Sequence, residues 1–391
     1  MEILAIKTSF HIFTRMSFLL LIGCALQAGL LTGCSVADLQ VMATEDPEAG
    51  NQATRFRNSD EPEVLIPVES IHGGASFKTG AMSEFTRIMV GGDGEAIKFQ
   101  KPVAVGGYGN FLYVLDGELI AGESIQLRNT RTNSLRITER GAAVYRYNLT
   151  DKTIELIGQV GQHMKGEATN IFVEPDLSFY LADPVGKRVL YFSKNGNLIR
   201  EYIDLVNLSR PIDVLSDDMT GNVYVADGSF SHVVVFSKLG TPMRAIGGRG
   251  TGPVKFRAIT AITKVPANTL FVADRLELPV QELSMGLGDM GQFRYSLGLG
   301  EVIWPTAVAI DRERRVFVSD KSDNTIKVFD EIRLIATLGG TGSAPGRFRL
   351  ITDMWMSKQQ RLYVADSLNR RVQVFDVVPE EGQDKDLFII P

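Results

Sequence analysis

Leu362-Tyr363-Val364-Ala365-Asp366-Ser367-Leu368-Asn369-Arg370-Arg371-Val372-Gln373-Val374-Phe375-Asp376 is the stretch on which the fold turns. Its first five residues form a strand-length apolar run closed by an aspartate. The same run recurs five more times: LYVLD ending at Asp116, FYLAD at Asp183, VYVAD at Asp227, LFVAD at Asp274 and VFVSD at Asp320. Successive aspartates lie 67, 44, 47, 46 and 46 residues apart. A period of about 45 residues that holds several short strands marks a β-propeller, because one four-stranded sheet cannot cover both its faces and must stack on neighbours around an axis. Six repeats imply six blades and an all-β chain.

One period shows how a blade is written. Residues 305 to 348 contain apolar segments at Thr306 to Ile310, Val316 to Ser319, Thr325 to Phe329 and Leu334 to Leu338, which are strands A to D ordered from the axis outward. Gly339-Gly340-Thr341-Gly342 follows, with Phe348 shortly after. Gly247 to Gly250 with Phe256, and Gly91 to Gly94 with Phe99, repeat the arrangement. The aspartate-ended strand, the Asn369 to Asp376 segment and the glycine run with its phenylalanine together resemble the NHL repeat family over about residues 84 to 376. That resemblance implies a six-bladed propeller. The last repeat lacks a fourth strand after Asp376, and Phe85 to Val90 match strand D, so an N-terminal strand is expected to close the ring and remove its open edges. Repeats 1 and 4 depart from the pattern: Gly117 to Gly141 is a long insertion, and Leu278-Pro279-Val280-Gln281 replaces the usual third strand.

Outside the repeats the N-terminus reads as an address. Lys7 and Arg15 precede an apolar run from Met16 to Leu31, which ends in Leu31-Thr32-Gly33-Cys34-Ser35. This order resembles the bacterial lipobox, which implies a diacylglyceryl group on the Cys34 thiol and cleavage just before it. The apolar run is short for a bilayer span, which needs roughly 20 residues, although an uncleaved anchor is the alternative. Ser35 after the cysteine implies, by the same resemblance, an outer-membrane lipoprotein facing the periplasm, or one at the cell surface. The expected organisation is a signal peptide at 1–33, a polar flexible tether at 34–70, the propeller at 71–378 and an acidic tail at 379–391.

Composition narrows the function. Net charge is −5 with no large basic block, which disfavours nucleic acid as a partner. Both cysteines, Cys24 and Cys34, lie near the N-terminus, so the repeats hold neither a disulfide nor a cysteine metal cluster. His72, His163 and His232 show no zinc-binding spacing. The glycine runs lead into strands, whereas a phosphate loop leads into a helix.

Two sets of acids and one set of bases are candidate sites. Asp116, Asp183, Asp227, Asp274, Asp320 and Asp366 ring one end of the blades, where a strand-end aspartate accepts hydrogen bonds from turn amides; they read as structural. The third residues of the first strands, expected to look towards the channel mouth on that same face, are Ala104, Asn170, Asp213, Ala261, Ala307 and Asp353. Asn170, Asp213 and Asp353 make the one oxygen-rich cluster there, of a kind that suits calcium. Lys187, Arg188, Arg275, Lys321 and Arg370, with the Gly117 to Gly141 insertion, mark a cationic loop face. With no nucleophile or base assembled, these residues point to a lipid-tethered binding or scaffold module that engages a protein or polysaccharide at the cell envelope. The alternative is a calcium-dependent hydrolase or lyase working in the channel mouth, as in resembling six-bladed propellers.

Overall fold

The computed structural model of the protein describes residues 64–74, 97–117, 143–158, 160–265, 268–286 and 291–379. Cys34, the segment Phe85 to Val90 and nearly all of the Gly117 to Gly141 insertion lie outside them.

Six four-stranded antiparallel sheets are arranged as blades, spanning 102–157, 171–202, 211–247, 259–297, 305–339 and 351–377. Strand A is innermost and strand D at the rim in each, and the first five are sequential meanders. The central strands read as unbroken apolar runs because both of their faces are covered. In FYLAD, Phe179 and Leu181 enter the cleft shared with blade 1, while Tyr180 and Ala182 enter the cleft shared with blade 3. Six apolar clusters result among the described residues, one in each cleft between neighbouring blades.

Blade 6 is completed by Leu65–Ile71, which pairs antiparallel with Arg371–Val377, placing Leu65 opposite Val377 and Ile71 opposite Val372. Ring closure by an N-terminal strand is therefore correct, but the strand lies twenty residues upstream of the segment expected from the repeat pattern. The last residues assigned to the tether are part of the sheet. Leu65 and Ile71 supply the reason: they fill the clefts towards blades 5 and 1, respectively. Pro67 sits in an outer edge strand at a bulge, where a missing N–H is tolerated.

Blade 4 also keeps its third strand, as Val280–Ser284, two residues later than the apolar segment suggested. Its Gln281 and Glu282 are buried. Glu282 is held by Arg294 at 3.1 Å and Arg314 at 3.2 Å, so charge pairing replaces the usual apolar residues.

The glycine-then-phenylalanine signature has a steric cause. Gly339 has φ +101°, and a Cβ there would come within 2.7 Å of the buried Phe348 ring. Gly247 (φ +85°) stands in the same relation to Phe256. Only glycine offers both the left-handed backbone and the space for the ring to lie flat on the chain.

Candidate functional site

The strand-end aspartates sit where strand B meets the B–C loop, and they fasten that loop to the incoming connection from the previous blade. Asp227 accepts the amides of Ser209 and Arg210 (both 2.6 Å) from the connection, and those of Ser229 (2.8 Å) and Phe230 (2.7 Å) from the loop. Asp116 and Asp274 accept equivalent pairs from their connections, Asp366 accepts Arg349 N–H, and Asp320 accepts Ile303 and Trp304. Three of the carboxylates also hold a cation from strand C: Asp183 with Arg188 (3.1 Å), Asp320 with Lys327 (2.7 Å) and Asp366 with Arg371 (2.9 Å). The Lys327 ammonium and the amide donors hold Asp320 well below the usual carboxylate range, against the opposing effect of burial.

A cavity of about 600 Å³ runs along the axis. In five blades the pairing of strand A with strand B slips by one residue between its first and third positions. In three of those blades the third residue, Asp213, Ala261 or Asp353, lines the cavity at its inner end. Asn170, Asp213 and Asp353 all line it. The cavity opens past Tyr108, at the end of a strand A, and past Met219, Arg312 and Lys358 of the A–B turns, so its mouth lies at the end opposite the strand-end aspartates. Mouth and strand-end aspartates, expected on one face, are thus on opposite ends.

Both axial carboxylates bridge neighbouring blades. Asp213 of blade 3 accepts Val214 N–H (2.7 Å) and, from blade 4, Ile262 N–H (2.7 Å). Asp353 of blade 6 accepts Met354 N–H (2.8 Å) and, from blade 1, Val105 N–H (2.9 Å). The two devices are the same, set three blades apart. Burial pushes Asp213 up to about 7, against the pull of its two amides. Burial and then the charge of Asp213 raise Asp353 well above the usual carboxylate range. At neutral pH the pair therefore retains a proton. The Oδ1 atom of Asn170 is buried without a hydrogen-bond partner. Among the described residues, no three His, Cys, Asp or Glu side chains converge in a metal-binding arrangement.

The cationic loop residues separate into two groups. Arg188 is a structural clasp: beyond Asp183 it reaches Glu201 (2.8 Å) and the His163 carbonyl (2.6 Å). Lys187, Arg275, Lys321 and Arg370 are exposed at the B–C loops. Arg275 and Lys321, from blades 4 and 5, lie over the ring of Trp304 at 4.7 and 4.9 Å. Trp304 was missed in the sequence, although it is one of two tryptophans and directly precedes Pro305, the first residue of a strand A.

No family model matches the chain, and no curated protein matches it in sequence. Solved structures do. A protein of unknown function from Bacteroides thetaiotaomicron is similar at 13% identity, covering 73% of this chain and 72% of that one, with a TM-score of 0.54. A gluconolactonase from Xanthomonas campestris is similar at 12% identity, covering 82% of this chain and 100% of that one, with a TM-score of 0.51. The chain is a six-bladed β-propeller. At these identities the likeness concerns the fold alone.

Proposed function

We propose that the protein is an extracytoplasmic binding module, tethered to a membrane by lipid on Cys34, that engages an anionic component of the cell envelope through its B–C loop end. The observation that carries this reading is the contrast between the channel interior and the outer surface of the loop end. The axial carboxylates are engaged in holding blades together, whereas Lys187, Arg275, Lys321, Arg370 and Trp304 face outward at the loop end. Rigid blades with variable loops suit recognition.

A photo-crosslinking residue at position 304 is expected to give envelope adducts in cells, and one at Met219, at the other end, none. The reverse pattern would overturn the assignment. Lipid attachment is tested by labelled fatty-acid incorporation, which Cys34→Ser should abolish.

The 600 Å³ cavity with Asn170, Asp213 and Asp353 at its inner end favours a second reading, a calcium-dependent hydrolase or lyase; one similar structure is a gluconolactonase. Calcium titration by calorimetry discriminates: heat that is lost in Asp213→Ala plus Asp353→Ala would bring the enzyme forward.

A further inference from the structure

The loop end is unusual in what it exposes. Of sixteen large apolar side chains left exposed among the described residues, ten sit on its B–C loops and D–A connections, against three on the turns of the opposite end. They project strongly: Leu205 is 95% exposed, Val206 78% and Ile303 70%, with Trp304 and Phe230 beside them. The same end carries twelve exposed Lys or Arg and three exposed Asp or Glu among the described residues. Arg210 follows Leu205 and Val206 on one connection, and Arg275 and Lys321 flank Trp304.

We propose that this end docks on an anionic phospholipid bilayer, with Leu205, Val206, Ile303 and Trp304 entering the headgroup region and the cations against the phosphates. The inference rests on the loop end being the working surface, and it names the partner. A protein interface gathers its apolar residues into one contiguous core depleted of lysine, glutamate and aspartate. Here the apolar tips belong to different connections with cations set between them, which is the mixture of Trp, Leu and Lys/Arg found where a protein rests at a bilayer surface. Projecting side chains can enter the headgroups without rearranging the blades. Docked in this way, the axial cavity opens away from the lipid. The closing strand enters blade 6 at the opposite end, since Leu65 pairs with Val377; the 30 residues from Cys34 to Glu63, with a contour of up to about 100 Å, are long enough to pass the ring.

The ring closes within residues 64–378, so the chain from Thr54 onward holds the whole propeller and excludes the apolar N-terminal run. This form should co-sediment with vesicles of phosphatidylcholine mixed with phosphatidylglycerol and not with phosphatidylcholine alone. Trp304 emission should shift to the blue, with Trp355 as the unresponsive second tryptophan. Each Lys or Arg near an anionic surface strengthens partitioning about fivefold, so Arg275→Glu with Lys321→Glu should weaken it at least 25-fold or so. Leu205→Ser with Val206→Ser, which touches no ion pair, should weaken it as well.

Absence of vesicle binding, binding to both vesicle types alike, or full binding by both double variants at unchanged melting temperature would overturn the proposal. Displacement from vesicles by polygalacturonate at equal charge would overturn it too, in favour of an anionic polymer. Crosslinking from position 304 that persists without vesicle binding removes the lipid and leaves the envelope-binding function standing.

Discussion

Replacing Asp213 by asparagine should change how stability responds to pH. Asp213 titrates near 7 in the folded protein and near its ordinary value of 3.8 when unfolded. Because the folded pKa is the higher one, the folded state binds the extra proton, and stability declines as pH rises from about 4 through 7. At 1.36 kcal/mol per pKa unit, ionisation of this buried group costs about 4 kcal/mol in full, of which about 2.5 kcal/mol falls between pH 5 and 8. For a folded body of about 300 residues that is a melting shift of about 4 °C. Asparagine removes the titration but can accept only one of the two amides now bound, from Val214 and Ile262, and leaves the other facing an NH2 group, a loss of about 1–3 kcal/mol at every pH. Urea unfolding of residues 54–391 from pH 5 to 8 should therefore show Asp213→Asn well below the parent at pH 5, with the gap narrowing by about 2.5 kcal/mol at pH 8. A gap that stays constant with pH would refute the assignment of a proton to this site.

Asp366→Ala would strand the buried Arg371 guanidinium and release the Arg349 amide, and should lower unfolding free energy by about 3–5 kcal/mol in urea titration. Gly339→Ala forces a left-handed backbone and a collision with the Phe348 ring, so a loss of about 2–4 kcal/mol is expected, measured by the same titration; a change within about 0.5 kcal/mol would contradict the steric account. Removing residues up to Gly74 deletes the outer strand of blade 6 and should broaden or abolish the cooperative thermal transition, whereas removal up to Ala53 should leave it unchanged.

Blade number and register were legible because covered central strands repeat as apolar runs, and the aspartate closing each run marks one position in every blade. Asn170, Asp213 and Asp353, picked out by that alignment, do line the axial cavity. Orientation was harder. The slip between the first and third positions turns the inner residues towards the far mouth, and a bulge leaves no compositional trace. The closing strand escaped because Pro67 interrupts an otherwise plain apolar run, while Phe85 to Val90 imitate the spacing of the repeat. Arg188 looked like a surface cation because sequence shows the charge and hides Asp183 and Glu201 beneath it. Trp304 stood outside the repeat and carried no periodic signal.

Blade 6 joins residues from the two ends of the described chain, Leu65 with Val377, and that seam governs the order in which the molecule can assemble. Five blades are local meanders that form from consecutive sequence, and the sixth has to wait for a contact more than 300 residues long. Closure entropy grows only slowly with loop length, but distant pairings form late and slow the overall rate. Until that last ladder forms, blade 6 lacks its rim strand, and its unpaired edge is open to strands of other chains. Refolding yield should therefore fall with protein concentration far more than equilibrium stability does, and a linker that brings the two ends together beforehand should restore it.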